Sequence, residues 1–498
     1  MLMKLLKIHE KDNVAVALDD LKAGQVVKLT GCEAVVLAEE VSAGHKVALR
    51  DIEQNEKIIK YGFPIGYAVV PVRAGQWVHT MNVKTNLGEI LAYDYQPQFS
   101  EVVRKIHGDT FWGYQRPDGR VGIRNEIWVI PTVSCVNRIA ELIARKASEE
   151  LQGFANLDGV FEFKHPYGCS QMGEDQLTTQ RILADLVHHP NAAAVLVLGL
   201  GCENNNIEQL QKVIGPFDPD RVKFLVAQEV EDEIGTGIEL IRQLAKHAVQ
   251  YQRGEYPAAK LVVGLKCGGS DGLSGITANP LVGVFSDILV SEGGTSVLTE
   301  VPEMFGAETL LMNRAKDRQV FEKIVKMINS FKDYFNEYNQ PIYENPSPGN
   351  KQGGISTLED KSLGCTQKGG LSPVVDVLAY AERIQQPGLN LLTAPGNDMV
   401  ACTALAAAGC QLILFTTGRG TPLGTCVPTI KLSTNSGLFA RKPAWMDFDA
   451  GVLLDNVDME QLAERLWTYV LEIASGRRTK AENLGFREIA IFKNGVTL

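Results

Sequence analysis

The sequence predicts an α/β protein built as a small N-terminal β-rich module followed by two βα domains with largely parallel sheets. Three observations carry that expectation. A chain of 498 residues corresponds to about three domains at about 150 residues each. Its first 95 residues alternate short apolar runs with Gly and Asn turns, the pattern of brief half-buried strands. From about residue 120 onward the order becomes strand, glycine-rich turn and helix, repeated. That rhythm requires a parallel sheet covered by helices.

In the module, residues 1–95, the expected strands are Val14-Ala15-Val16-Ala17, Val26-Val27-Lys28-Leu29 and Lys57-Ile58-Ile59-Lys60. Ala23-Gly24, Ala43-Gly44 and Ala74-Gly75 each precede a short apolar run, so each is expected to turn with its glycine at positive φ. Residues 96–118 read as a polar, aromatic-dotted connection. The first βα domain, 119–252, opens with Ile127-Trp128-Val129-Ile130 and a helix over 139–151. Val160-Phe161-Glu162-Phe163 leads to a helix over 177–187, Ala194-Val195-Leu196-Val197-Leu198 to one over 207–214, and Phe224-Leu225-Val226 to one over 239–249. The second βα domain, 253–498, has strands that end at Cys267, Thr299, Ala394 and Thr416, each followed by a polar or glycine-rich turn. Residues 343–361 hold Pro346, Pro348, Gly349, Gly353 and Gly354. A long Pro/Gly segment inside a compact domain is expected to be functional or mobile.

Composition excludes several classes of function. With 45% hydrophobic and 22% charged residues, the chain has the balance of a soluble globular protein. A net charge of -10 argues against nucleic acid or an anionic membrane as partner. Residues 1–9 reach Glu10 and Asp12 without a signal-peptide pattern, and the most continuous apolar stretch, 192–200, is too short to span a bilayer. Nine cysteines with no CxxC argue against a disulfide framework or a zinc ribbon and fit a reducing cytoplasm, the expected location.

Open parallel sheets bind ligands outside the carboxyl ends of their strands. Cys135, Cys169, Cys202 and Cys267 occupy that position, together with Glu203, Asp271, Glu300, Glu303, Asp398 and Arg419. Thiols, carboxylates and an arginine therefore stand where a pocket should form, although free cysteine also packs readily in cores. Cys365, Cys402, Cys410 and Cys426 read as packing. Gly199-Leu200-Gly201 lacks the third glycine of a dinucleotide fingerprint, whereas Arg419 on a glycine loop offers a fork to a carboxylate. Of the eight histidines, His188 and His189 read as a solvated helix end. His165 is either a base or ligand at a strand end or a structural residue. His45 and His79 lie beside turns of the module, where paired imidazoles suit a divalent metal.

These motifs, taken together, resemble the altronate and galactarate dehydratase family of sugar-acid lyases. The resemblance runs nearly end to end. It includes Gly44-His45-Lys46, Tyr167-Gly168-Cys169, Gly199-Leu200-Gly201-Cys202-Glu203, Cys267-Gly268-Gly269-Ser270-Asp271, Asn345-Pro346-Ser347-Pro348-Gly349-Asn350-Lys351 and Thr416-Thr417-Gly418-Arg419-Gly420-Thr421-Pro422. Thr299-Glu300-Val301-Pro302-Glu303, Leu363-Gly364-Cys365-Thr366 and Pro395-Gly396-Asn397-Asp398 stand in the altronate form of the family rather than the galactarate form. One departure is Met81, where relatives can carry a second histidine after the one matching His79. The resemblance implies loss of water from D-altronate to give 2-dehydro-3-deoxy-D-gluconate, assisted by a divalent metal, Fe2+ or Mn2+. It also implies an N-terminal SAF module of β-clip type.

Such a reaction removes the proton at C2 and expels hydroxide from C3, so it needs a metal or cation on the carboxylate, a base and an acid. Arg419 is expected to clamp the carboxylate, with Ser270, Asp271, Asn279 and Asn397 on the remaining polar groups. Lys351 or His165 would be the base, with Glu300 as a further catalytic carboxylate. Cys169, Cys202, Glu203, Cys267, His45 and His79 are the candidate metal ligands, and the thiols favour iron over magnesium. An iron–sulfur cluster is the alternative to a mononuclear ion, which is preferred because no short cysteine spacing occurs. The site is expected between the two βα domains. The partner is a small sugar acid, with a homodimer as the candidate assembly. The rival readings are a dehydratase for another sugar acid such as galactarate and a sugar-acid-binding protein without turnover.

Overall fold

The computed structural model describes residues 4–29, 34–88, 90–100, 106–455 and 457–498. The N-terminal module is all β. Leu5–Leu6, Val14–Ala17, Lys46–Ala48 and Trp77–Val78 form one antiparallel sheet, and Lys57–Lys60, Phe63–Ala68 and Val83–Lys84 form a second. Gly24, Gly44 and Gly75 all have positive φ, 75°, 84° and 84°. At Gly75 close approach adds to the requirement, because a Cβ there would lie 1.9 Å from the carbonyl oxygen of Val36. Two small apolar cores fill the module, and one of them takes in Ala307 and Leu363 from the last domain.

The segment expected as a plain connection contains a strand. Thr110–Gln115 pairs antiparallel with Gly254–Pro257 and with Val121–Gly122. Its alternation of exposed Trp112 with buried Phe111 is a strand pattern too short to stand out beside its polar neighbours. It clasps the two βα domains at the point where the chain passes between them.

The first βα domain has a four-stranded parallel sheet in the order Gly159–Glu162, Glu126–Pro131, Ala192–Gly199, Val222–Val226. The central strands are fully buried, which explains their unbroken apolar runs. Helices Asn137–Glu150 and Glu233–Ala248 cover one face with Ile143, Ala144, Ile241 and Leu244. Helix Gly173–Val187 covers the other. The second βα domain has seven parallel strands in the order Val374–Leu378, Gly388–Leu392, Thr295–Leu298, Val262–Cys267, Leu412–Thr417, Thr429–Ser433, Phe448–Asp449.

The two βα domains are fused rather than separated by a cleft. Helix Gly173–Val187 packs on helix Asp398–Ala408, and one apolar core runs from Trp128 and Leu183 to Leu405, Ile413 and Phe415. His189 lies inside this seam instead of in solvent. It donates from Nε2 to the Cys410 carbonyl at 3.1 Å and stacks on Trp128, and burial pushes its pKa down to about 3. Since both helices end at this contact, the carboxyl edges of the two sheets open toward the same end of the molecule. Among the described residues, no helix is long and apolar enough to cross a membrane.

Candidate active site

In the large sheet the order of winding reverses between the neighbouring parallel strands Val262–Cys267 and Leu412–Thr417, the topological switch point at which such sheets bind ligands. The two loops that leave there are tied together. Gly418 and Arg419 donate their N–H groups to the Gly269 carbonyl at 3.1 and 3.0 Å. Beneath them Asp271 is buried, accepting from Thr434 Oγ1 at 2.9 and 3.0 Å, Ser274 Oγ at 2.9 Å and the Leu273 N–H at 3.1 Å. Burial pushes its pKa up, opposed by those hydrogen bonds. A Cβ on Gly418 would sit 2.2 Å from Asp271 Cγ, so only glycine lets the Arg419 loop lie on this carboxylate.

Arg419 is exposed in a cavity of about 910 Å³ whose walls include His45, Gln352, Asn435, Ser436 and Arg441. Its Nη2 donates to Gln352 Oε1 at 2.8 Å. The cavity lies between the N-terminal module and the last domain, not between the two βα domains as expected. Their shared apolar core leaves no room for a polar cleft, whereas the module meets the last domain through glycine backbone. Arg441 adds a second guanidinium to the cavity, and Ser436 Oγ is buried there without a hydrogen-bond partner. Neither was picked out by the sequence reading, because both stand on the short helix Ser436–Arg441, away from any glycine-rich strand end.

Behind Asp271 a smaller polar void, bordered also by Ser270, Lys361 and Cys365, leads to a buried ionic cluster. Lys266 pairs with Glu300 and, at 2.9 Å, with Asp398. Lys361 pairs with Glu303 at 2.7 Å, and Lys368 with Glu300 at 3.3 Å. Cys267 and Cys365 lie 3.3 Å apart, Sγ to Sγ, and each thiol reaches Glu303 Oε2, at 3.1 and 3.2 Å. Burial would raise Glu303, but Lys361, Lys266 and Lys368 hold its carboxyl well below the usual range. Glu300 shifts upward, through burial and the charge of Glu303. The adjacent Cys267 and burial push the Cys365 thiol well up. Glu300 has φ 73°, a conformation that costs a non-glycine residue about 1–3 kcal/mol. It aims Oε2 at the Cys267 N–H, 2.9 Å away.

Cys267, Glu303 and Cys365 are a metal-capable group, their ligand atoms all within 4.8 Å of one another. The donor chemistry fits a divalent transition ion. Two thiols and a carboxylate are softer than the all-oxygen sets that hold magnesium. Charge fits too: three carboxylates already balance three ammonium groups, so two thiolates would balance the added ion. Cys365, expected to be inert, thus belongs to this group, while Cys402, Cys410 and Cys426 are buried in apolar surroundings. The ninth cysteine, Cys32, lies outside the described residues.

The remaining candidate residues divide by location. Asn279 spends its amide on the Gly364 carbonyl at 3.0 Å and on Thr416 Oγ1 at 2.7 Å, and Asn397 caps helix Asp398–Ala408 by accepting from the Val400 N–H. Asn279 is thus buried in the fold's own hydrogen bonds, whereas Asn397 is exposed and keeps its NH2 group without a described partner. Ser270 Oγ is buried and unpartnered. His45 accepts from Trp77 Nε1 at 3.0 Å and donates to the Gln352 carbonyl at 3.1 Å. His79 stacks on Trp77 with its Nδ1 unpartnered, and burial, with Lys46 and His45 nearby, pushes its pKa down to about 4. The two rings are 5.1 Å apart but, among the described residues, no third ligand joins them. Lys351, on the capped turn Pro348–Gln352, lines a neighbouring groove of about 380 Å³.

In the first βα domain, His165 is buried with both nitrogens on backbone, Nε2 to the Pro131 carbonyl at 2.8 Å and Nδ1 to the Tyr167 N–H at 3.2 Å. That gives it a structural role and no lone pair for a substrate. Glu203 accepts from Thr132 Oγ1 at 2.5 Å and from the Leu200 and Gly201 N–H groups, so it holds its own loop. Cys169 and Cys202 are exposed. Among the described residues, neither they nor Glu203 converge with Cys267, and the six expected ligands do not form one site.

Comparison with known proteins agrees along the whole chain. Residues 3–86 match the family model of the altronate/galactarate dehydratase SAF domain. Residues 113–249 match that of the D-galactarate dehydratase/altronate hydrolase second domain, and 258–497 that of the D-galactarate/altronate dehydratase C-terminal domain. The chain is 53% identical over 496 residues to the altronate dehydratase of Escherichia coli, covering 100% of both chains. It is 52% identical over 494 residues to that of Bacillus subtilis, covering 99% of both. Against the galactarate dehydratase (L-threo-forming) of Escherichia coli the identity is 34% over 506 residues, covering 98% of this chain and 96% of the relative.

Proposed function

Because the chain belongs to the altronate/galactarate dehydratase family, we propose that it is a hydro-lyase that removes water from D-altronate to give 2-dehydro-3-deoxy-D-gluconate. The observation that carries the choice of substrate is the identity of 53% to an altronate dehydratase against 34% to a galactarate dehydratase, each nearly end to end.

In this reading the sugar acid occupies the cavity between module and last domain. Arg419, held by Gln352, forks onto the carboxylate, and the second guanidinium of Arg441 draws the anion in. Ser436 Oγ, buried and unpartnered, meets a hydroxyl group, whose unmet hydrogen bond a wrong substrate would leave costly. The proton at C2 needs a base. Glu300 is committed to Lys266, Lys368 and the Cys267 N–H, and His165 to backbone. Lys351 Nζ carries no described hydrogen bond or ion pair; Lys351 lines the groove next to the cavity, while its neighbour Gln352 lines the cavity itself, and in this reading the amine reaches C2 from that groove as the base. Cys267, Cys365 and Glu303 hold the divalent ion, Fe2+ or Mn2+, which when bound supplies a Lewis acid for oxygen ligands. Asp271, the wall shared by the cavity and the inner void, fixes the distance between the two.

The test is formation of a keto-deoxy acid from D-altronate by the full chain, purified without oxygen and supplied with Fe2+ or Mn2+. Turnover of galactarate but not altronate would replace the substrate and keep the reaction class. Binding of altronate with no turnover under any metal would refute the reading.

A further inference from the structure

A second metal-binding arrangement stands apart from the cavity. Cys135, Cys169 and Cys202 are exposed, whereas the other five described cysteines are all buried in the last domain. Cysteine is ordinarily among the most buried residue types, so three exposed thiols in one domain need a reason. Their positions supply one. Cys135 follows strand Glu126–Pro131, Cys169 follows Gly159–Glu162, and Cys202 follows Ala192–Gly199. Those are three adjacent strands, with the Cys135 strand in the middle. Neighbouring strands are about 4.8 Å apart, so the three cysteine-bearing loops leave adjacent positions on one edge of one sheet.

The loops that carry them are fastened to each other. The Ser134 N–H donates to the Tyr167 carbonyl at 2.9 Å, and the Asn205 N–H to the Gly168 carbonyl at 3.0 Å. Asn205 Nδ2 reaches back to the Thr132 carbonyl at 3.0 Å. Gly168 has φ 102°, and a Cβ on it would lie 2.0 Å from the Thr132 carbonyl oxygen, so the Cys169 loop lies directly on the Cys135 loop. Glu203 braces the set from below through Thr132. Such bracing holds a ligand set in place before the ligand arrives.

The donor chemistry is all sulfur. The imidazole of His165 and the carboxylate of Glu203 are consumed by their own loops. Around the thiols stand amides: Gln228 Nε2 donates to Cys202 Sγ at 3.6 Å, and Asn204 Oδ1 lies 3.5 Å from Cys169 Sγ while accepting from the Ser170 N–H. Thiolate-only sets select iron–sulfur clusters or soft ions over magnesium and manganese, and hydrogen bonds to the sulfurs tune such clusters.

We propose that Cys135, Cys169 and Cys202 bind an iron–sulfur cluster of the four-iron type, three irons held by protein and the fourth left open to an oxygen ligand. Loading exchanges three S–H bonds for three S–Fe bonds and releases three protons to solvent; two ferrous ions, two ferric ions and four sulfides make the cluster core, so no electron is gained or lost. The proposal does not rest on altronate as substrate.

Anaerobic reconstitution of the full chain with equal amounts of ferrous and ferric iron and inorganic sulfide tests it. The expected product is brown, with about four acid-labile sulfides per chain and about four irons beyond the one held at Cys267, Glu303 and Cys365. Cys135→Ser, Cys169→Ser and Cys202→Ser each lose the sulfide, whereas Cys267→Ser keeps it. A readout without substitutions guards against misfolded variants: iodoacetamide applied to the native protein labels all three thiols in the metal-free chain and spares all three after reconstitution. Iron uptake without acid-labile sulfide, or three thiols that stay reactive in the reconstituted protein, overturns the proposal.

Discussion

Gly44 and Gly272 meet backbone against backbone: a Cβ built on Gly272 would lie 1.8 Å from the Gly44 carbonyl oxygen. Gly44 belongs to the module and Gly272 to the switch-point loop of the last domain. Around this contact the Gly272 N–H donates to the Gly353 carbonyl at 2.7 Å, and Lys46 Nζ to the Gly354 carbonyl at 2.7 Å. The wall of the cavity is therefore set by how closely two backbones approach. Gly272→Ala must separate them, an overpacking cost of about 1–3 kcal/mol. Turnover is expected to fall at least about ten-fold while circular dichroism of the helices stays unchanged. Wild-type activity in this variant would show that the module is not a wall of the active site.

The sequence made the strand ends legible and left their partners hidden. Glycine-rich turns mark where strands stop, so the places of Asp271 and Arg419 beside the strand ends are legible from local pattern alone. Cys365 and Lys361 lie on helix Leu358–Cys365, every residue of which is buried. A helix buried all round shows no polar face to read, and nothing local says that Cys365 meets Cys267 across 98 positions. His165 misled for the opposite reason. Its strand-end position was read correctly, but both nitrogens were already taken by backbone, which only three-dimensional structure reveals. The seam between the βα domains, where the site was expected, is filled by apolar residues of helices Gly173–Val187 and Asp398–Ala408 that share one core, and no local pattern says that two helices of different domains meet.

Arg419→Lys is expected to raise KM for the sugar acid by about ten- to a hundred-fold, about 1.4–3 kcal/mol, with a smaller effect on kcat. Lysine keeps the charge but loses the planar fork. Steady-state kinetics check this, and an unchanged KM would remove Arg419 from carboxylate binding.

Chelation is expected to abolish turnover, and Fe2+ or Mn2+ to restore it. Cys365→Ser should weaken that metal by on the order of a hundred-fold or more, read by metal analysis after dialysis against buffered ion. Glu303→Gln removes the third ligand and leaves Lys361 without its partner, so it should also lower the melting temperature. Metal retention by both variants would place the ion elsewhere.

Lys351→Ala is expected to lower kcat by about 10²–10⁴-fold, the usual worth of a general base, with little change in KM. Lys351→Arg should not rescue it, because a guanidinium does not give up its proton. The pH profile of the residual activity separates the roles: loss of the rising limb marks a base, and a profile lowered uniformly marks a positioning residue.

Lys46 and Lys60 share one buried carboxylate, Asp360, at 2.8 and 2.9 Å. Burial pushes Lys46 down to about 8, only partly offset by Asp360. Lys60, although burial opposes it, is raised by Asp360 and Tyr61. Between about pH 8 and the ordinary lysine value of 10.5, the unfolded chain holds a proton at position 46 that the folded chain has released. Stability rises with pH wherever the unfolded state binds more protons, so Lys46 penalises folding fully below pH 8 and progressively less up to 10.5. Lys46→Met removes this dependence. The difference in unfolding free energy, wild type minus variant, should therefore climb by about 3 kcal/mol across that window. Denaturant titrations of both proteins at several pH values measure it. A flat difference would mean that Lys46 is not held in a depressed state, and a falling one that Asp360 dominates the pair.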